Sequence, residues 1–240
     1  MSRLTLPLTA LLGAMLGAGA ILWASGHLGA AVGDQARIEG VVHDYLLAHP
    51  EVIPAAMDAL RDKEHARTIA DNRAAILEPF GSAWAGSANP DLTIVEYYDY
   101  NCGYCRASLP AITQLLASDP KLRIVFREFP VLAESSASAA RMSLAAADQG
   151  KFKPFHDSLY AGGPVTDQSI AAAARIAGVD TARAAAFTPK ADAEIAANMG
   201  VARALGLTGT PSWVIGDHVV SSALPLEELQ KYVARARAKG

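Results

Sequence analysis

The sequence predicts an α/β domain whose elements run β-α-β, helical block, β-β-α, with a separate helical segment before it. Three observations predict this. Leu92-Thr93-Ile94-Val95-Glu96-Tyr97-Tyr98 is a β-branched and aromatic run with a helical pattern behind it. The stretch from Ser135 to Leu205 is Ala-rich with helical spacing. Ser212-Trp213-Val214-Ile215 and His218-Val219-Val220 flank Gly216-Asp217, which has hairpin chemistry.

Taken in order, the chain opens on a stretch with no charge from Leu4 to Ala24, after a basic start at Arg3. Residues 1–31 therefore read as an export segment, either a cleaved signal peptide or a retained anchor in the inner membrane. Next, Ile38, Val41, Val42, Tyr45 and Leu46 form one apolar helix face that Pro50 ends. Ile53, Ala56, Met57 and Leu60 resume a stripe that runs into the charged residues Arg61 to Arg67 and on to about Leu77. Residues 32–80 thus form an N-terminal helical segment, and this helix has little of its own to bury against. Pro79, Gly81, Ser82, Gly86, Ser87, Asn89 and Pro90 read as a linker. The domain proper then covers 91–240. Its first strand is the run from Leu92, its first helix extends to Ala117, and its second strand is Leu122 to Phe129, stopped by Pro130. The helical block, about 133–205, should break at Gly150, Gly162-Gly163-Pro164, Gly178 and Thr188-Pro189 into four or five helices. Gly209-Thr210-Pro211 is a turn before the hairpin. Pro225 to Ala238 is a last helix, with Glu early and Lys/Arg late as its dipole favours.

Composition limits the function. The 240 residues are 51% hydrophobic and carry a net charge of -3, so a core is expected, while the concentrated basic surface needed for nucleic acid is not. Only two cysteines exist, too few for a framework of structural bridges. Their placement is informative. Cys102-Gly103-Tyr104-Cys105 follows a buried strand and opens a helix, whose free N–H groups and partial positive charge support a thiolate. Two intervening residues let the second sulphur attack a mixed disulphide made by the first. Cys102 is expected to be the exposed attacking thiol and Cys105 the resolving one. A zinc site would need two more ligands; no other cysteine is available, and His156 and His218 fall in different elements. A purely structural bridge would close too short a loop to stabilise much. Redox exchange, which calls for no cofactor, is the expected chemistry. Pro110 should kink the helix that starts at Cys102. Trp84, Trp213 and Tyr104 are candidates for lining a peptide groove, although Trp213 as a strand aromatic also fits the core.

The run Val95-Glu96-Tyr97-Tyr98-Asp99-Tyr100-Asn101-Cys102-Gly103-Tyr104-Cys105 resembles the active-site segment of the DsbA-like family of periplasmic thiol-disulphide oxidoreductases, a thioredoxin-like fold with an all-helical insertion. Gly209-Thr210-Pro211 resembles that family's cis-proline loop, and Lys153-Pro154-Phe155-His156-Asp157 a segment of its insertion. Asp44 to Ile53 resembles the leader of the ScsC-type branch. The resemblance implies that Glu96 is a buried acid beside the resolving thiol. It also implies that Pro211 is cis, with the Thr210 backbone offered to an extended substrate, and that Tyr104 is a surface contact. Exported proteins with thiols or disulphides would be the substrates, with an unidentified membrane redox partner. The pair lacks the His that strongly oxidising relatives often carry between their cysteines, which leaves the direction of electron flow open. An oxidase, an oligomeric isomerase or reductase associating through residues 35–77, and a non-catalytic chaperone on the same fold are the competing expectations.

Overall fold

The computed structural model describes residues 34–239. The expected export segment, 1–31, lies outside them. Among the described residues no helix is long and apolar enough to cross a membrane.

The chain divides between Ala59 and Leu60. In the first unit, α1 is helical from 34 to 48. The apolar stripe read from the sequence is on its surface: Ile38, Val41, Val42 and Tyr45 are all exposed. α2 (Val52–Asp71) carries the chain into the second unit, and α3 (Arg73–Leu77) follows after Asn72. The charged segment is thus not one helix reaching Leu77. Asn72 donates its side-chain amide back to the Thr68 carbonyl at 2.9 Å, a local bond that competes with helix continuation. This part of the chain also finds something to bury, because Ile69 and Ile76 enter the core.

The second unit is organised by a five-stranded sheet in the order β1-β3-β2-β4-β5. β2 (Leu92–Tyr98) and β3 (Leu122–Glu128) are parallel, joined by α4 (Gly103–Ser118). A crossover helix is what a parallel pair requires. β4 (Ser212–Ile215) and β5 (His218–Val220) form the expected hairpin, with β4 antiparallel to β2. β1 (Trp84–Gly86) pairs antiparallel with β3. The linker reading of this stretch is corrected here: three residues inside Gly/Ser/Pro-rich sequence leave no periodicity to read.

Alternate residues of β2 enter two cores. Ile94 and Tyr98 join Ile124, Phe126 and Trp213 beneath α4, the helical block and α9 (Leu226–Lys239). Val95 and Tyr97 face the other way, with Ile69, Ile76, Val125 and Val201. The block itself is α5 (Glu134–Asp148), α6 (Phe152–Ala161), α7 (Asp167–Ala177) and α8 (Thr181–Ala204). Three of the four expected breaks occur. The one at Thr188-Pro189 does not, because α8 runs through Pro189. The missing bond falls on its exposed face, where water can serve the Ala185 carbonyl, while Ala184, Phe187 and Ala191 hold the helix to the core. α4 likewise continues through the exposed Pro110.

Arg127 of β3 holds α3 and α8 to the sheet. It is buried, donates to the carbonyls of Ile76 and Glu78, and pairs with Glu194 at 2.7 Å. Arg127→Ala is expected to destabilise the protein by ~3–5 kcal/mol, because it strands a largely buried carboxylate and two carbonyls. Urea denaturation checks this.

Candidate active site

The two cysteines sit where a central strand delivers the chain to a helix. β2 ends at Tyr98, the loop Asp99-Tyr100-Asn101 follows, and Cys102 is the N-cap of α4 with extended backbone angles. The Cys102 sulphur accepts a hydrogen bond from the Cys105 N–H at 3.3 Å and donates one to the Thr210 carbonyl at 3.1 Å. The helix N-terminus therefore offers a donor to this sulphur. Both thiols are free. Cys102 is the less covered of the two but not exposed, at 5% against 1% for Cys105. The expectation of an exposed sulphur is corrected by the loop at Thr210, which lies across it.

The Thr210–Pro211 peptide is cis, and Ser212 closes the loop by donating to the Gly209 carbonyl at 2.6 Å. Tyr104 is 71% exposed beside the pair. The other two groove candidates are elsewhere. Trp213 is fully buried opposite Glu96 in the β2–β4 register, and Trp84 lies on β1 with the Arg123 guanidinium 4.8 Å from its ring.

Glu96 is in the sheet beneath the cysteines, between Phe126 and Trp213, and nearly inaccessible. Its Oε1 has no hydrogen-bond partner. Burial, and then the charge of Cys102, push its pKa up to about 8. Burial first and the Glu96 charge second push the Cys105 thiol far above its ordinary value, against which the Asp99 main chain favours its ionised form. A charge on Glu96 thus opposes ionisation of Cys105.

Around this pair lies a polar layer that the sequence did not reveal. Tyr160 of α6 donates to the Asp99 carbonyl at 3.1 Å, and the Arg106 guanidinium lies 6.0 Å over its ring while donating to the Gly163 carbonyl at 2.7 Å. Tyr98 donates to Glu128, and Tyr100 shares a 2.9 Å hydrogen bond with Ser143. Burial pushes Glu128 up to about 8 as well. His156 is buried among the rings of Tyr98, Phe126, Phe152 and Tyr160, and burial lowers its pKa. His218 is instead 3.4 Å from Asp62. Among the described residues no group of three or more His, Cys, Asp or Glu could hold a metal ion.

Comparison with known proteins bears on the fold. Residues 93–234 match the model of the DSBA-like thioredoxin domain, and residues 34–67 that of the copper resistance protein ScsC N-terminal domain. A thioredoxin-like oxidoreductase from Silicibacter pomeroyi is 38% identical with a TM-score of 0.66, covering 70% of this chain and 98% of that one. The thiol-disulfide exchange protein alpha-DsbA2 from Wolbachia pipientis is 28% identical with a TM-score of 0.66, covering 73% and 97%. Proteus mirabilis ScsC in a transitional conformation is 26% identical with a TM-score of 0.65, covering 86% and 96%. Among curated proteins, a stretch of 81 residues is 38% identical to Na(+)/H(+) antiporter NhaA 3 of Salinispora tropica. That match spans 32% of this chain and only 12% of the antiporter's length.

Proposed function

The chain belongs to the DSBA-like thioredoxin domain family, and from that premise we propose that it is an exported, periplasmic thiol-disulphide oxidoreductase that exchanges disulphides with other exported proteins through Cys102 and Cys105. The observation that carries this reading is the free Cys102 sulphur. It caps α4, touches the Thr210 carbonyl, and sits over a buried acid at Glu96. A similar solved protein from Salmonella enterica is described as periplasmic, which supports the location, as does the charge-free apolar stretch from Leu4 to Ala24.

The chemistry is two successive displacements. In reduction, the Cys102 thiolate attacks a substrate disulphide, forms a mixed disulphide and expels one substrate thiolate. Cys105 then gives its proton to Glu96 and attacks the Cys102 sulphur. The Cys102–Cys105 bond forms and the second substrate thiolate leaves. The substrate has gained two electrons and the protein has lost them. Oxidation of a substrate dithiol is the same path reversed, with Glu96 protonating the departing Cys105 sulphur. The Thr210 backbone and Tyr104 are the groups placed to meet the substrate chain. A membrane redox partner would reset the pair.

A second reading, an oligomeric isomerase or reductase, is favoured by the exposed apolar face of α1 and the ScsC-type match across it. Several sulphurs around one substrate would raise the effective concentration for recapture of a wrong bridge. The test is insulin reduction beside reactivation of scrambled ribonuclease, with light scattering on the intact protein and on a Val41→Lys/Tyr45→Lys double variant. Isomerase function is expected to appear as ribonuclease reactivation by an oligomer, lost with the oligomer in the variant. A monomeric intact protein that reduces insulin but leaves ribonuclease scrambled favours simple exchange. Inactivity in both assays overturns the oxidoreductase reading.

A further inference from the structure

Among the described residues from 91 onward, four large apolar side chains are exposed: Tyr104, Val131, Leu132 and Ile176. Tyr104 follows Cys102 on α4. Val131 and Leu132 are distant from it in sequence, in the turn between β3 and α5, yet hydrogen bonds bring that turn to the cysteine.

The link is Asp99. It is 1% exposed, in the loop between β2 and Cys102, and its carboxylate accepts four hydrogen bonds. Oδ2 takes the N–H groups of Val131 at 2.9 Å and Leu132 at 3.0 Å. Oδ1 takes the Asn101 N–H at 2.8 Å and the Ser136 hydroxyl at 2.7 Å. The Asp99 carbonyl in turn accepts the Cys102 N–H at 3.0 Å. A second tether comes from Asn101, whose amide donates to the hydroxyls of Ser135 and Ser136 at 3.0 and 2.9 Å. From Cys102 through Asp99 to Val131 the path is two hydrogen bonds and one residue, roughly 10 Å, which about three residues of extended chain can span.

The chemistry of the turn runs against its exposure. Val131, Leu132 and Ala133 are consecutive apolar residues facing solvent, before Glu134 opens α5. A surface run of this kind is costly unless it binds something. The turn cannot fold these side chains away, because the N–H groups of Val131 and Leu132 are committed to a buried carboxylate. A backbone held so firmly lowers the ordering cost of binding. The neighbouring cysteine names the occupant. Any chain that forms a mixed disulphide with Cys102 is held by its own cysteine beside the turn, and its flanking residues are the groups within reach. Unfolded chains display apolar residues there, whereas folded ones bury them.

We propose that Val131 and Leu132 are specificity-determining residues of the dithiol site: they form an apolar subsite, anchored by Asp99, that takes apolar side chains within about three residues of the reacting cysteine of an unfolded substrate. The subsite rests on the exchange reading given above.

The test uses the full chain carrying Cys105→Ser, which halts exchange at the mixed disulphide, charged beforehand with oxidised glutathione. A peptide with one cysteine is then added. The Cys102–glutathione bond breaks, the Cys102–peptide bond forms, and the peptide's thiol proton passes to the released glutathione, with no net gain or loss of electrons. Mass spectrometry at equilibrium gives the exchange constant. Two peptides are compared, with Leu or with Ser on both sides of the cysteine, and the ratio of their constants is the readout. The Leu peptide is expected to be favoured by about ten-fold, the yield of covering roughly two methylene equivalents. In Val131→Ser/Leu132→Ser the ratio should fall to about two or less, since the apolar area is lost while both N–H donors to Asp99 remain. Ile176→Ser, on α7, should keep the ratio. A ratio near one before substitution overturns the proposal. So does a preference that survives the double substitution or, if that variant fails to fold, survives Leu132→Ser alone. A ratio that falls as far in Ile176→Ser also overturns it. A Cys105→Ser chain that takes up no glutathione overturns the exchange reading instead, and the subsite with it.

Discussion

Cys102→Ser is expected to lower insulin reduction by at least about a thousand-fold, while Cys105→Ser leaves attack in place and traps the substrate. The asymmetry follows from position. Cys102 caps α4 and receives a helix N–H, whereas Cys105 lies one turn in, almost wholly covered, with its thiol pushed upward by burial and by Glu96. A sulphur so placed is a poor first nucleophile toward a protein but needs only to reach its neighbour. Non-reducing electrophoresis of Cys105→Ser with an unfolded, disulphide-bonded substrate should therefore show a stable adduct through Cys102. No adduct, or equal adducts from both single variants, would reverse the assignment of roles.

Glu96→Gln is expected to slow resolution by roughly 10–100-fold, within the range for loss of a positioned acid–base group. Glutamine keeps the shape and the buried position but cannot take the Cys105 proton. In the native protein the carboxyl, with its pKa pushed up to about 8, must ionise before it can accept. The resolution rate should accordingly climb with pH until Glu96 is ionised and then level off, whereas in the variant it should keep rising with the ionisation of Cys105 and show no such plateau. Stability supplies an independent check on the sign. A carboxyl whose folded pKa lies above its ordinary value favours the native state while it stays protonated. That contribution is complete below about 4.5 and is lost as pH rises through about 8. Glu96→Gln has nothing to lose over this interval. It should match the reduced native protein near pH 4.5 and exceed it by a few kcal/mol above pH 8. Urea titrations at the two ends measure the difference. Glu128 titrates in both proteins and cancels in the comparison.

How much of this could be read in advance depended on whether the determining contacts were local. β2 and the strands flanking it are apolar runs bounded by turn residues, and they fall within a residue of where the pattern put them. β1 is strand only because β3 offers it an edge, a fact outside its own three residues. Pro189 looks like a stop from sequence, but tertiary burial of Phe187 and Ala191 outweighs one missing hydrogen bond. At the site, the cysteines were legible from their spacing, whereas Glu96 was named only through the resemblance of its segment to the DsbA-like active-site run. Asp99 was in view but had no assigned role, since three of its four side-chain donors are more than 30 residues away. Its bond to the Asn101 N–H is an Asx turn, the one local signal that was available. Tyr160, 61 residues from its acceptor, gave no local signal at all.

The sheet's two outer strands have a consequence for life among unfolded polypeptides. β1 and β5 are three residues each, and β1 ends at Gly86 in a conformation with φ of +98° that β-pairing does not continue. Long exposed edges recruit foreign strands and seed aggregates. On the proposed reading, a catalyst that holds extended chains courts that hazard at every encounter. With both margins cut this short, a captured chain finds little ladder to extend along the rim, and release can keep pace with capture.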